Sequence, residues 1–109
     1  MSTPPVLHRI AAPTCERVNM PDVVFFCPGC RIEHGVWTSK PASNGAQWRW
    51  NGDMVRPTFE PSLVVTYGGA GPDDIPARRC HSFVRDGQIQ FLADCTHPLA
   101  GQTVPLMPQ

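Results

Sequence analysis

Apolar and polar positions alternate along most of this chain, and no apolar face recurs at helical spacing for more than a turn or two. The pattern predicts strands. Val6–Ile10 reads as a short one, interrupted soon after by Pro13. Asp22–Phe26 is a compact apolar run, Val23-Val24-Phe25-Phe26, and reads as a buried strand. Arg31–Thr38 reads as its return. Gln47–Asn51 puts Trp48 and Trp50 on one face by period two, and Asn51-Gly52 is a hairpin signal. Pro57 and Pro61 make Arg56–Leu63 an extended, rigid loop that fixes Thr58 and Ser62. Leu63–Tyr67 is a strong strand, Gly68–Pro76 a glycine- and acid-rich surface loop, and Gln102–Leu106 a last edge strand.

The most informative stretch is CHSFVRDGQIQFLADCTH, Cys80 to His97. His81–Val84 and Gln88–Leu92 flank Asp86-Gly87, a dipeptide favoured in two-residue hairpin turns. With that turn, Arg85 faces Gln88, Ser82 faces Phe91 and Cys80 faces Ala93. Side chains alternate across a strand. One face then carries Cys80, Ser82, Val84, Ile89, Phe91, Ala93 and, if the strand continues, Cys95. The other carries His81, Phe83, Gln90, Leu92 and Asp94, with His81 and Asp94 diagonal neighbours. The expected fold is a mostly β, small antiparallel domain of about eight short strands, with a zinc knuckle and a Cys/His-ended hairpin.

Composition narrows the function classes. A chain of 109 residues reads as one domain, residues 1–109, with 1–5 a frayed end. Thirteen prolines and nine glycines make it loop-rich without signalling disorder. Nine basic side chains balance nine acidic ones, which argues against a protein that neutralises phosphate backbones. A patch of Arg78, Arg79 and Arg85, with Trp48 and Trp50, is what a nucleic-acid reading would need. No run approaches a membrane span and no leader pattern opens the chain, so the cytoplasm is the expected compartment.

There, clustered cysteines more often hold metal than form disulfides. Cys27-Pro28-Gly29-Cys30 is a C-x₂-C half-site, the usual way to present two thiolates to one tetrahedral zinc. Nothing after Cys30 looks helical, as a redox C-x-x-C would require. Cys80 and Cys95 share a face and complete a set of Cys27, Cys30, Cys80 and Cys95, with His97 the alternate to Cys95. Four protein ligands leave no open position, so a Zn²⁺ held there is structural, and a small core gains from such a staple. Cys15 reads as the bystander thiol, and His34 as a polar position facing a cleft. A second constellation is Ser62 as nucleophile, His81 as general base and Asp94 orienting it, with His34 as an alternative base.

The ordered motifs Cys27-Pro28-Gly29-Cys30, Trp50-Asn51-Gly52-Asp53, Arg56-Pro57-Thr58-Phe59-Glu60-Pro61-Ser62-Leu63 and Cys80–Gln102 resemble a family of small phage- and prophage-encoded proteins, often labelled "ammonia monooxygenase". The resemblance covers about Phe25 to Val104. Nothing in it supplies the membrane spans or copper ligands of such an enzyme. More distantly, the chain resembles proteins encoded beside bacterial ubiquitin-like conjugation genes, for which protease-like roles have been suggested. The resemblance implies a zinc-stabilised accessory protein that binds a host or phage protein in the host cytoplasm. The alternative it implies is a small serine-type peptidase or deconjugase using Ser62, His81 and Asp94. The chain departs from the pattern at Glu60, where relatives carry serine.

Overall fold

The computed structural model describes residues 4–10, 19–67 and 78–108. The expectations for Cys15, for the 68–76 loop and for the first three residues lie outside them. Among the described residues, eight strands form two antiparallel sheets, as the alternating pattern predicts. The first sheet has the order β1-β2-β3, with β1 Leu7–Arg9, β2 Val23–Cys27 and β3 Ile32–Val36. The second runs β4-β5-β6-β7-β8, with β4 Arg49–Trp50, β5 Phe59–Tyr67, β6 Arg78–Arg85, β7 Gln88–Phe91 and β8 Thr103–Pro105. Among the described residues, no helix is long and apolar enough to cross a membrane.

The two sheets share one core. Leu7, Val23, Phe25 and Val36 of the first sheet pack in the same cluster as Phe59, Leu63, Val84, Ile89 and Phe91 of the second. Burying each of the three phenylalanines contributes about 1.5–3 kcal/mol, and all three are at most 1 % exposed. The hairpin reads as expected. Arg85 pairs with Gln88 and Ser82 with Phe91. Cys80, Ser82 and Val84 are buried, while His81 and Phe83 alternate on the outer face. The turn is made by Asp86 and Gly87, both with positive φ (51° and 76°), as a type I′ turn requires.

Two expectations need correction. The Pro57–Pro61 segment is not a loop throughout: β5 begins at Phe59 and runs through Pro61. Regular pairing does fail there. Phe59 pairs with Val84 and Leu63 with Ser82, so four residues of β5 span two of β6. Such a bulge bends the strand and re-aims its side chains. Second, Asn51-Gly52 does not close a two-residue hairpin. Trp50 pairs with Phe59, so the connection is longer. Asn51 Oδ1 accepts from both Asp53 N–H and Thr58 N–H at 3.1 Å, and Asn51 Nδ2 donates to Arg56 O, closing a self-bonded loop.

The same loop is tied to the hairpin turn. Thr58 Oγ1 accepts from Asp86 N–H at 2.8 Å, Pro57 O accepts from Gly87 N–H at 3.0 Å, and Arg56 pairs with Asp86 at 2.7 Å. This pins the residues leading into Ser62 against the strands that carry His81.

Candidate active site and metal centre

Ser62 leaves the bulged stretch on the outer face of β5, the face shared by Val64 and its cross-strand partner His81. Diagonal neighbours on one face of an antiparallel pair come within reach of each other. Ser62 Oγ lies 3.1 Å from His81 Nε2, and His81 Nδ1 lies 3.2 Å from Asp94 Oδ2. The main chain of Ser62 is held too, because Trp48 Nε1 donates to its carbonyl at 3.2 Å. Asp94 also faces Arg79, with Nη1 3.6 Å from the same oxygen. The Asp94 carboxyl is held below its ordinary value: desolvation works against this, and the His81 hydrogen bond, its own backbone N–H and the charge of Arg79 outweigh it.

Serine, imidazole and carboxylate in hydrogen-bonded series are the arrangement in which a base activates a hydroxyl and a third group orients the base. The series is open to solvent, with the His81 side chain 26 % and that of Asp94 42 % exposed. Clefts lie on both sides of Ser62 along β5. Glu60 and Pro61 line one of about 450 Å³ with Arg49, Phe83 and Arg85. Leu63 and Val64 line the other, of about 430 Å³, with Trp48, His34 and Gly35. Trp48 thus both packs on the core and walls a cleft, whereas Trp50 stacks on Phe59 at 6.3 Å. Of the three arginines in the basic patch, Arg79 faces Asp94 and Arg85 lies 4.4 Å over the Phe83 ring.

Behind this face, on the buried side of β6, side chains that could hold a metal ion gather. Cys27, Cys30, Cys80 and His34 place one ligand atom each within 4.8 Å of one another. Cys27 Sγ and Cys80 Sγ are 3.8 Å apart. The Cys27 thiol is pushed down to about 4, chiefly by its hydrogen bond with Cys80 and against burial, with His34 helping; Cys80 is pushed up by the same contact and by burial.

His34 does not simply face a cleft. Register sets it: Phe25 pairs with His34, and Phe25 shares the buried face of β2 with Cys27. The strand leaving the knuckle therefore returns an imidazole to the cysteines. His34 is 3 % exposed, and its buried Nε2 has no hydrogen-bond partner. A buried imidazole beside three sulfurs fits a tetrahedral Cys₃His set.

Cys95 and His97 fall in a second group with Cys80 rather than with Cys27 and Cys30. His97 Nδ1 accepts from Leu99 N–H at 3.2 Å, so the neutral ring carries its proton on Nε2, which lies 3.6 Å from Cys80 Sγ. That is the position of a donor to the Cys80 sulfur. The ring also fills the space over Gly29, where a Cβ would overlap it. Cys95 Sγ is engaged by the main chain of His81.

A family model described as "Bacterial ubiquitination-like system serine protease (BubE)" matches residues 8–92. The chain belongs to this family. The matched residues include Ser62 and His81 and the Cys27, Cys30, His34 and Cys80 cluster; Asp94 lies just beyond them. No curated protein and no solved structure matches the chain. The resemblance to proteins of ubiquitin-like conjugation operons is thereby upheld at the level of the family.

Proposed function

We propose that this protein is a serine protease that acts on a conjugate or precursor of a ubiquitin-like protein, with Ser62 as nucleophile, His81 as general base and Asp94 orienting the imidazole. The observation that carries the reading is the unbroken hydrogen-bonded series from Ser62 Oγ through His81 to Asp94 Oδ2. The family's description supports a hydrolase over an accessory binding module.

In the chemistry proposed, Ser62 Oγ attacks the scissile carbonyl carbon while His81 Nε2 takes its proton. His81 then gives that proton to the leaving amine, and the acyl group stays on Ser62. Water, deprotonated by His81, displaces it and restores the hydroxyl. An extended chain lying across Ser62 would place one side of its scissile bond in each cleft.

The buried cluster supports a structural zinc held by Cys27, Cys30, Cys80 and His34, a closed set without a position for substrate. A zinc there would tie the β2–β3 knuckle to β6 one residue before His81.

The test is hydrolysis of a linear fusion of a ubiquitin-like protein to a peptide, followed by mass spectrometry. The wild type cleaves at one peptide bond; Ser62→Ala and His81→Ala do not. Cleavage unchanged in Ser62→Ala rejects the assignment.

A further inference from the structure

β6 outruns its partner. β7 ends at Phe91, opposite Ser82, while β6 extends back to Arg78. Toward that side the backbone groups of Arg79 and His81 face no strand. Such groups need partners, because an unsatisfied one in a partly buried position is costly.

Residues 92–96 supply them without forming a strand. Leu92 N–H donates to His81 O at 2.9 Å. Cys95 Sγ accepts from His81 N–H at 3.2 Å and donates to His81 O at 3.1 Å. Thr96 Oγ1 does the same for Arg79, accepting from its N–H at 3.1 Å and donating to its carbonyl at 3.3 Å. Thr96 N–H adds a bond to Arg79 O at 3.0 Å. Two consecutive side chains thus bracket two alternate residues of β6 and stand in for the missing rungs of the ladder. Asp94 immediately precedes them, and its carboxylate meets the side chains of the same two residues, His81 and Arg79.

We propose that Cys95 and Thr96 are positioning residues that hold Asp94 against His81. The inference rests on the catalytic reading of Ser62, His81 and Asp94. It gives Cys95 a task that metal ligation would disturb: a thiol that donates to His81 O carries the proton that a zinc thiolate lacks. Cys95 acts on the main chain of His81 and touches no reacting atom.

The test uses the full chain as purified with its metal, and the variants Cys95→Ala, Cys95→Ser and Thr96→Val. Three readouts are compared: metal content, exchange of the His81 amide and Nδ1 protons by NMR, and steady-state cleavage. In Cys95→Ala, metal content stays as in the wild type and the His81 protons exchange at least about tenfold faster. There kcat falls about 10- to 100-fold, with KM nearly unchanged. Cys95→Ser, which keeps a donor and an acceptor, recovers most of both. Thr96→Val moves the same way and serves if Cys95→Ala does not fold. Loss of metal in both Cys95 variants, unchanged exchange in Cys95→Ala, or a fall confined to KM overturns the proposal. A wild type that cleaves nothing, yet shows protected His81 protons that Cys95→Ala exposes, rejects the protease reading and leaves the hold of Cys95 on His81 standing.

Discussion

His34 and Phe25 face each other across the β2–β3 ladder, their rings 5.6 Å apart and nearly perpendicular. That one pairing puts an imidazole on the buried face that carries Cys27, and so beside the sulfurs of Cys30 and Cys80. The buried cluster and the open Ser62 series are two faces of one strand, since Cys80 points inward and His81 outward.

The metal cluster makes a first prediction. Purified protein carries about one zinc per chain, bound by four side chains as in other closed sites. Cys27→Ser loses it, and His34→Ala binds it far more weakly. His97→Ala weakens it about 10- to 100-fold, as loss of a donor to a ligand sulfur does, while Cys95→Ser keeps it. Chelation lowers Tm by roughly 10 °C or more, about 2 kcal/mol for a chain this size. Plasma mass spectrometry with a thermal melt reads both effects. Zinc retained in His34→Ala but lost in Cys95→Ser would move the fourth ligand to Cys95.

Asp94→Asn gives a second. An asparagine keeps the shape but cannot stabilise the imidazolium or enforce the tautomer, so kcat falls on the order of 10²–10⁴-fold with little change in KM. Asp94 is partly exposed, which favours the lower part of that range. Steady-state cleavage of the fusion substrate measures it. A change under threefold would remove Asp94 from the catalytic series.

Asp22 gives a third, on stability. Its carboxylate accepts from the backbone N–H groups of Thr38 and Ser39 at 2.6 and 3.0 Å and from both hydroxyls, closing the turn after β3. Its pKa is lowered from 3.8 to about 2; desolvation opposes this and the Ser39 and Thr38 hydrogen bonds outweigh it. A depressed carboxylate stabilises the fold fully above its unfolded pKa and loses that contribution as pH falls through the folded one. Asp22→Asn should therefore cost about 1–2 kcal/mol near neutrality, discounted for partial exposure. The gap to wild type should shrink between about pH 4 and pH 2. Denaturant melts across that range test it; a gap that widens on acidification contradicts it.

Much of this was legible in the sequence, for reasons that are local. The Asp86-Gly87 turn fixes the hairpin register, and register fixes which of Cys80, His81 and Ser82 face inward. Cys27-Pro28-Gly29-Cys30 announces a knuckle by spacing alone. What was not legible depends on contacts between distant segments. Ser62 reaches His81 from a bulge between Phe59 and Leu63 that no periodicity reveals. Asp94 meets His81 as the register predicts, but the side-chain bonds of Cys95 and Thr96 to β6 beyond the end of β7 at Phe91 have no signal in the pattern. His34 reads as a cleft position while the register of β3 against β2 is unknown; the pairing of Phe25 with His34 is what turns it toward Cys27.

The most direct test of the account is covalent labelling by a fluorophosphonate probe, read by intact mass and peptide mapping. Such a probe phosphonylates a serine only when a base activates it. The account predicts one adduct per chain, on Ser62, absent in Ser62→Ala and His81→Ala and slowed in Asp94→Asn. No adduct on the wild type, or an adduct forming at the same rate in His81→Ala, would contradict it.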